Sequence, residues 1–273
     1  MLRNKLVLVT SMFIGASYAN DTSLLLRYFF VPDIDHRVTV SSQSLINLGG
    51  VDLSERRGQV MSMSSPGNGD SGNLLLFEVS RQTSQLNGPG VDVSFDSSNL
   101  DTVTTGERFV ELSETIGETF SRSVDDRGQT LSVEVGSVPD SAVEMSSLAM
   151  PVFPEDRVAI GESWEVVSSL KLDPENELSL SRQYTLESVT DGSAIVTYVV
   201  TIASYVSGVD LSDVSEPAEN VVDELSFQIT GGGRFQFDLQ QGWLVSLSES
   251  TVVEGTMNGL PLTISTEWDV VVE

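Results

Sequence analysis

From residue 37 to residue 272 the chain alternates apolar and polar positions with a period of two. In the first half this holds for "RVTVSSQSLINL" (37–48), "LLLFEVSRQT" (74–83), "VDVSFDSS" (91–98) and "TLSVEVGS" (130–137). In the second it holds for "SWEVVSSLKL" (163–172), "LSLSRQYTLESV" (178–189), "SAIVTYVVTIASYV" (193–206), "RFQFDL" (234–239), "WLVSLSESTVV" (243–253) and "PLTISTEWDVVV" (261–272). Successive side chains of a strand point to opposite faces, so the pattern predicts half-buried strands. Asn87-Gly88, Asp191-Gly192 and Asn258-Gly259 stand between apolar runs, and each pair predicts a hairpin turn. The fold class that follows is mostly β, built of antiparallel sheets.

Three stretches break the alternation with helical spacing, so two or three short helices are expected. In "TTGERFVELSETIG" (104–117), Phe109, Leu112 and Ile116 recur on one helix face and Gly117 fits a C-cap. In "PDSAVEMSSLAMP" (139–151), Asp140 can N-cap a turn or two ending before Pro151. In "SEPAENVVDELS" (215–226), Pro217 suits a first turn, and Val221, Val222 and Leu225 are apolar at helical spacing.

The three glycines of "GGGRFQFDLQQGWLVSLSES" (231–250) raise the question of a phosphate loop. Such a loop needs Gly-x-x-x-x-Gly-Lys-Ser/Thr running into a helix N-terminus. Here no Lys follows and the next element is a strand, so the glycines are expected to let a strand begin. "GETFSRSVDDRGQTLSVEV" (117–135) has the same plan: Gly, an alternating strand, an Asp, then Gly128 or Gly242, then another strand. Both read as hairpins of one design, with Gly128 and Gly242 at the positive φ of the turn. Upstream segments echo each other too, which predicts a β-rich unit used twice, as sandwiches, half-barrels or one curved sheet. The expected division is a first unit over 20–138, a helical linker over 139–150 and a second unit over 151–273.

The N-terminus "MLRNKLVLVTSMFIGASYAND" has Arg3 and Lys5 before the apolar run Leu6 to Ile14, then Ser17-Tyr18-Ala19. This is the build of an export signal over residues 1–19, cut after Ala19. The run is too short to span a bilayer core of roughly 30 Å, so no transmembrane segment is expected. The mature protein is expected to be soluble in the periplasm or outside the cell. With no cysteine in the chain there is no lipobox for a lipid anchor, no disulfide scaffold, no thiol nucleophile and no Cys-ligated metal.

Several stretches resemble an uncharacterised bacterial family of exported or lipoprotein-type proteins that carry a domain of unknown function. These are "FPEDRVAIGESWEV" (153–166), "TDGSAIVTYVVT" (190–201) and "GGGRFQFDLQQGWLVS" (231–246), with "NGPGVDVSFDSSN" (87–99) and "IGETFSRSVDDRGQTLSVE" (116–134) in the first half. The resemblance implies an exported, duplicated β fold without established catalytic residues. The chain departs from the lipoprotein-type members in lacking the anchoring cysteine.

Charge narrows the partners. The formal net charge is −26, and loss of Arg3 and Lys5 with the signal would make the remainder more acidic still. Such a surface repels nucleic acid and anionic headgroups, so no nucleic-acid partner is expected. The acidic residues are scattered rather than gathered in a tail, which reads as a solvated acidic shell over an ordinary core.

Few side chains offer chemistry. "GDSGN" (69–73) resembles a serine-protease or aspartic-protease stretch, but Ser71 lacks the His and Asp partners at the required spacing, and a turn is expected. His36, the only histidine, has Asp33 and Asp35 beside it and reads as a surface or structural residue. Asp92, Ser94 and Asp96 share a strand face with Asn99 and Asp101 beyond; oxygen ligands suit calcium, but a solvated strand face is the reading taken. Trp164, Trp243 and Trp268 each sit in an alternating strand, with core packing expected for two of the three. No catalytic, cofactor or metal residue is assigned. The function expected is a non-enzymatic envelope binding or structural module, holding an apolar ligand or a protein partner. The alternatives are an Asp/Glu-dependent hydrolase and a calcium-dependent adhesive domain.

Overall fold

The computed structural model describes residues 23–32, 34–69, 72–99, 113, 115–135, 146–171, 177–202, 205–209 and 223–273. The expected signal segment 1–19 lies outside them. The strands are β1 (Asp35–Leu48), β2 (Val51–Gly69), β3 (Gly72–Gly88), β4 (Val91–Asp96), β5 (Thr119–Val124), β6 (Thr130–Val135), β7 (Ser163–Lys171), β8 (Glu177–Thr190), β9 (Ser193–Ile202), β10 (Tyr205–Val209), β11 (Asp223–Asp238), β12 (Trp243–Met257) and β13 (Leu260–Val272). They form one 13-stranded antiparallel sheet in the order β6-β5-β3-β2-β1-β13-β12-β11-β9-β8-β7. Among the described residues the path does not close on itself, and β6 and β7 are its ends. The first strand pairs with the last, Val38 to Val272 through Leu48 to Leu262, which joins the two halves of the chain.

Two strands outrun their neighbours. β3 pairs with β5 over Asn73–Glu78 and with β4 over Thr83–Gly88. β11 likewise pairs with β9 over Thr230–Asp238 and with β10 over Asp223–Phe227. The sheet therefore forks along both strands.

One face of the sheet carries the core. Val38, Val40, Met61, Met63, Leu75, Phe77, Val196, Phe235, Leu247 and Val270 alternate inward and are fully or almost fully buried. Two irregular segments seal this face at one end. Residues 23–32 insert Leu26 and Tyr28, and residues 146–158 insert Ala149, Met150 and Phe153. Leu24 and Val158 exchange backbone hydrogen bonds, and Arg27 donates to the carbonyls of Pro154 and Glu155. The backbone N–H of Tyr28 reaches Asp126 and that of Phe29 reaches Gly242, so the first segment spans both Asp–Gly hairpins.

Those two hairpins share one design, as their spacing predicts. Asp125 Oδ1 accepts from the N–H groups of Arg127 and Gln129, and Asp238 Oδ1 from those of Gln240 and Gln241. Gly128 and Gly242 take φ values of +88° and +70°. A side chain at Gly242 would also collide with the Phe29 ring, 2.5 Å from where its Cβ would stand. Asp191-Gly192 and Asn258-Gly259 form the turns expected of them, with Asp191 and Asn258 at positive φ. The turn expected at Asn87-Gly88 sits two residues later. Asn87 and Gly88 pair with Asp92 and Val91, and Pro89-Gly90 makes the bend, because Pro fixes the φ of the first turn position.

The expected helices are corrected. Among the described residues no helix longer than a turn forms. Of the second candidate, residues 139–145 lie outside the described residues; Ser146 and Ser147 are helical, and the chain then turns, with Ala149 N–H to Ser146 and Met150 N–H to Ser147. Of the first candidate, residues 104–112 and 114 lie outside the described residues; Ser113 is helical, and residues 115–117 turn into β5. Of the third candidate, residues 223–226 belong to β11, and 215–222 lie outside the described residues. There Glu224–Ser226 pairs with β10 and Ser226 with β12, and ladder bonds on both sides outweigh a weak helical spacing. The glycine run is corrected too. β11 starts eight residues before Gly231, so the glycines lie in mid-strand.

Candidate functional site

Cross-strand register places a polar and aromatic belt across the inner face, beyond the sealed end. One rung runs Trp164, Tyr184, Tyr198, Gly233, Glu249, Trp268, Ser42, Arg57, Ser84, Phe95, from β7 across to β4. The next rung toward the far end runs Arg182, Val200, Gly231, Thr251, Thr266, Ser44, Glu55. Directly paired residues share a face, so both rungs look inward with the core.

The glycines explain how the belt holds together. Gly231 and Gly233 leave a stretch of inner face without side chains, and Tyr198 and Glu249 meet across it. Tyr198 Oη donates to Glu249 Oε2 at 2.6 Å, and Arg182 Nη2 lies 3.6 Å from the same oxygen. Glu249 is 7% exposed, and these two groups hold one oxygen of its carboxylate. Burial first, and the Glu249 carboxylate next, push the Tyr198 hydroxyl far above the usual phenol range. Burial also pushes Tyr184, one strand over, up to about 12. Glu249 Oε1 takes no hydrogen bond among the described residues, and neither does the Trp268 Nε1 proton. Ser44 and Thr266 bond to each other at 3.0 Å on the floor beside them. On the other side, Arg57 pairs with Glu55 at 2.9 Å.

A second feature lies one rung toward the core. Gln59 and Gln82 face each other on β2 and β3 at 2% and 6% exposure. Both polar atoms of Gln59 and Oε1 of Gln82 are buried without a hydrogen-bond partner.

The sequence candidates are not brought together. His36 packs on Trp243 with ring centroids 4.4 Å apart, and Trp243 in turn meets Tyr28 and Phe30 edge-on. Burial lowers its pKa, opposed by Asp35 and by a bond to the Glu273 backbone. His36 is therefore part of the wall of the sealed end rather than a surface group. Asp35 instead lines an open depression of about 250 Å³ with Ser64, Ser65 and Pro66, at a bulge of β2. Asp33, Asp70, Ser71 and Asp101 lie outside the described residues. Asp96 is held well below the usual carboxylate range, chiefly by hydrogen bonds from Arg81 and then from Ser98. Asp92 and Ser94 are exposed on the solvent face of β4. Among the described residues no three His, Asp or Glu side chains gather as metal ligands. Trp164 donates Nε1 to the Val152 carbonyl and stacks on Tyr184, and Trp243 is 6% exposed, so these two serve packing. Trp268 is half-buried and packs against the edge of the core cluster, but its Nε1 proton has no acceptor among the described residues.

Sequence reasoning missed the Tyr198–Glu249–Arg182 group. The residues lie on three strands, and the one trace of it is the glycine run that makes room for their contact.

Among the described residues no helix is long and apolar enough to cross a membrane. No curated protein matches the chain. Of solved structures, the translocator domain of the autotransporter NalP from Neisseria meningitidis is 8% identical, over 87% of this chain and 88% of that one, at a TM-score of 0.25. An outer membrane channel from Pseudomonas putida F1 is 9% identical, over 93% of this chain and 98% of that one, at a TM-score of 0.24. Likeness at that level carries no conclusion. A family model for a family of unknown function (DUF6263) matches residues 140–244, from before β7 to the start of β12. Similarity to that domain thus takes in Arg182, Tyr198 and the glycine run, and stops short of Glu249 and Trp268.

Proposed function

We propose that the chain is an exported, non-enzymatic binding module of the bacterial envelope, with the inner face of its sheet as the binding surface. The observation that carries this reading is the division of that face. Its apolar end is filled by the chain's own Leu26, Tyr28, Met150 and Phe153, while the adjoining belt keeps Trp268, Thr266 and Ser44 only half-buried. An apolar ligand would have to displace those plugging side chains, so the belt is the surface left for a partner. The groups with chemical potential support a binding role over catalysis. His36 is packed on an aromatic ring, and Glu249 gives one carboxylate oxygen to two donors of its own chain. Export rests on the Arg3/Lys5, Leu6–Ile14 and Ser17-Tyr18-Ala19 pattern.

A thermal-shift panel with oligosaccharides, phospholipid micelles and calcium chloride tests the reading, run beside esterase, protease and glycosidase assays. Saturable stabilisation by an organic ligand without turnover is the expected result. Turnover abolished by one Asp or Glu substitution would establish the hydrolase instead, and stabilisation by calcium alone the adhesive domain.

A further inference from the structure

We propose that the inner face between Trp268 and Arg182 is a saccharide subsite, with Trp268 as the ring platform and Glu249 Oε1 as the acceptor that orients the sugar. This deepens the binding-module reading and rests on it. Three observations converge. Trp268 and Glu249 are directly paired across β13 and β12, so their side chains stand next to each other on the inner face. The Glu249 side chain is 5% exposed and fixed at Oε2 by Tyr198 and Arg182, yet its Oε1 has no partner among the described residues. Trp268 packs against the core by part of its surface, yet unlike Trp164 it donates its Nε1 proton to no described residue, and among the described residues no aromatic ring stacks on it.

A half-buried indole face beside one fixed acceptor and one free donor matches a sugar ring. Its axial hydrogens pack on the aromatic surface, and each hydroxyl both donates and accepts. The floor beside the indole suits a flat ring as well: Ser44 and Thr266 are small and bond to each other. Arg182, at 21% side-chain exposure, adds a donor at the rim. A purely apolar ligand would leave Oε1 desolvated and unpaired, which costs free energy. An anionic ligand would meet the carboxylate itself. The preformed pair therefore selects a neutral, hydroxyl-rich ligand.

The test titrates the full-length exported protein with cello-, malto- and chito-oligosaccharides, following tryptophan fluorescence and mobility in gels containing the matching polysaccharide. One of these series is expected to give a saturable change. Glu249→Gln, which keeps the shape and the Tyr198 contact, is expected to weaken binding by about tenfold or more, the scale of one hydrogen bond to a charged group. Trp268→Ala should abolish it, and Trp268→Phe, which keeps a ring for folding, should retain a weaker response. Asp269→Asn, one residue away on the opposite face of the strand, should leave binding unchanged, and circular dichroism checks that each variant is folded. Absence of a saturable response to all three series, or a response unaffected by Glu249→Gln and Trp268→Ala, overturns the subsite. Binding accompanied by cleavage keeps the subsite and overturns the non-enzymatic reading. Binding to phospholipid micelles alone does the reverse.

Discussion

Gly233 lacks a side chain because Tyr198 fills the space where one would stand. A Cβ there would lie 2.5 Å from the Tyr198 ring and 2.6 Å from the Ser248 carbonyl oxygen, and that oxygen belongs to a ladder that cannot retreat. Gly233→Ala is therefore expected to destabilise the fold by about 1–3 kcal/mol, as overpacking does, in a urea unfolding titration. A cost near zero would mean that Tyr198 swings away and that its bond to Glu249 is not held in place. Glycine in mid-strand is otherwise a weakness, and the aromatic side chain lying over it is the compensation. Gln59 presents the opposite case, a buried amide with nothing to bond. Gln59→Leu removes that unmet demand and is expected to leave stability unchanged or raise it, whereas a polar side chain with a hidden partner would make the same change costly. His36 sets a pH dependence whose sign follows from its lowered pKa. The unfolded chain takes up the proton near pH 6.5 while the packed imidazole resists, so this contribution is lost as pH falls below that value through the folded pKa. Thermal melts between pH 7.5 and 5 should show a decline that His36→Gln flattens. An equal decline in both proteins would assign it to carboxylates instead.

At the scale of the element, the period-two runs were a sound guide wherever a strand has one wet face. The strands at 37–48, 130–137 and 163–172 fall within a few residues of β1, β6 and β7, since alternation is itself the product of that asymmetry. Three features were not legible, each for a physical reason. Residues 215–226 have helical spacing, but β10 pairs with the backbone of Asp223–Ser226 and β12 joins from Ser226 onward, and no local rule foresees those partners. "GGG" reads as a break in a strand when glycine propensity is weighed without the tyrosine that covers it. The segment "LLLRYFFV" (24–31) shows no alternation at all, because it does not lie in the sheet. It crosses the inner face as an irregular strap, with Leu26 and Tyr28 at 0% and 2% exposure while Leu25 and Phe29 stay near half-exposed. That contrast gives a paired test. Leu26→Ala should cost about 2–5 kcal/mol, the range of a buried leucine truncation, and Leu25→Ala should fall within about 0.5 kcal/mol of the parent. Equal effects would show that the strap is not seated as described. The site was less legible than the fold. Glu249 and Trp268 share a face only through the β12–β13 register, and reading the chain by itself marks both as ordinary members of alternating strands.

The whole molecule carries 40 acidic residues against 14 basic ones, and this imbalance decides how salt should act on it. Two electrostatic effects compete. The described ion pairs, such as Arg81–Asp96 at 2.7 Å and Arg234–Glu187 at 3.2 Å, are lost on unfolding and weakened by screening. Repulsion among the remaining carboxylates opposes folding, since the compact state holds them closer than the open chain does, and screening relieves it. Exposed pairs are worth about 0–1 kcal/mol each, and the side chains of Arg81 and Arg234 are half-exposed or more. Most carboxylates cannot have a basic partner at all on these counts. Repulsion should therefore win. The melting temperature is expected to climb as sodium chloride rises from about 0.01 M, where the screening length is about 30 Å, toward about 1 M, where it is about 3 Å. Most of the gain should come by about 0.15 M, because the screening length is by then about 8 Å and separated carboxylates no longer interact. Potassium chloride should act as sodium chloride does, which separates screening from a specific ion site. A melting temperature that is flat or falls with salt would show that the ion pairs, and not the excess of carboxylates, set the electrostatic balance of this sheet.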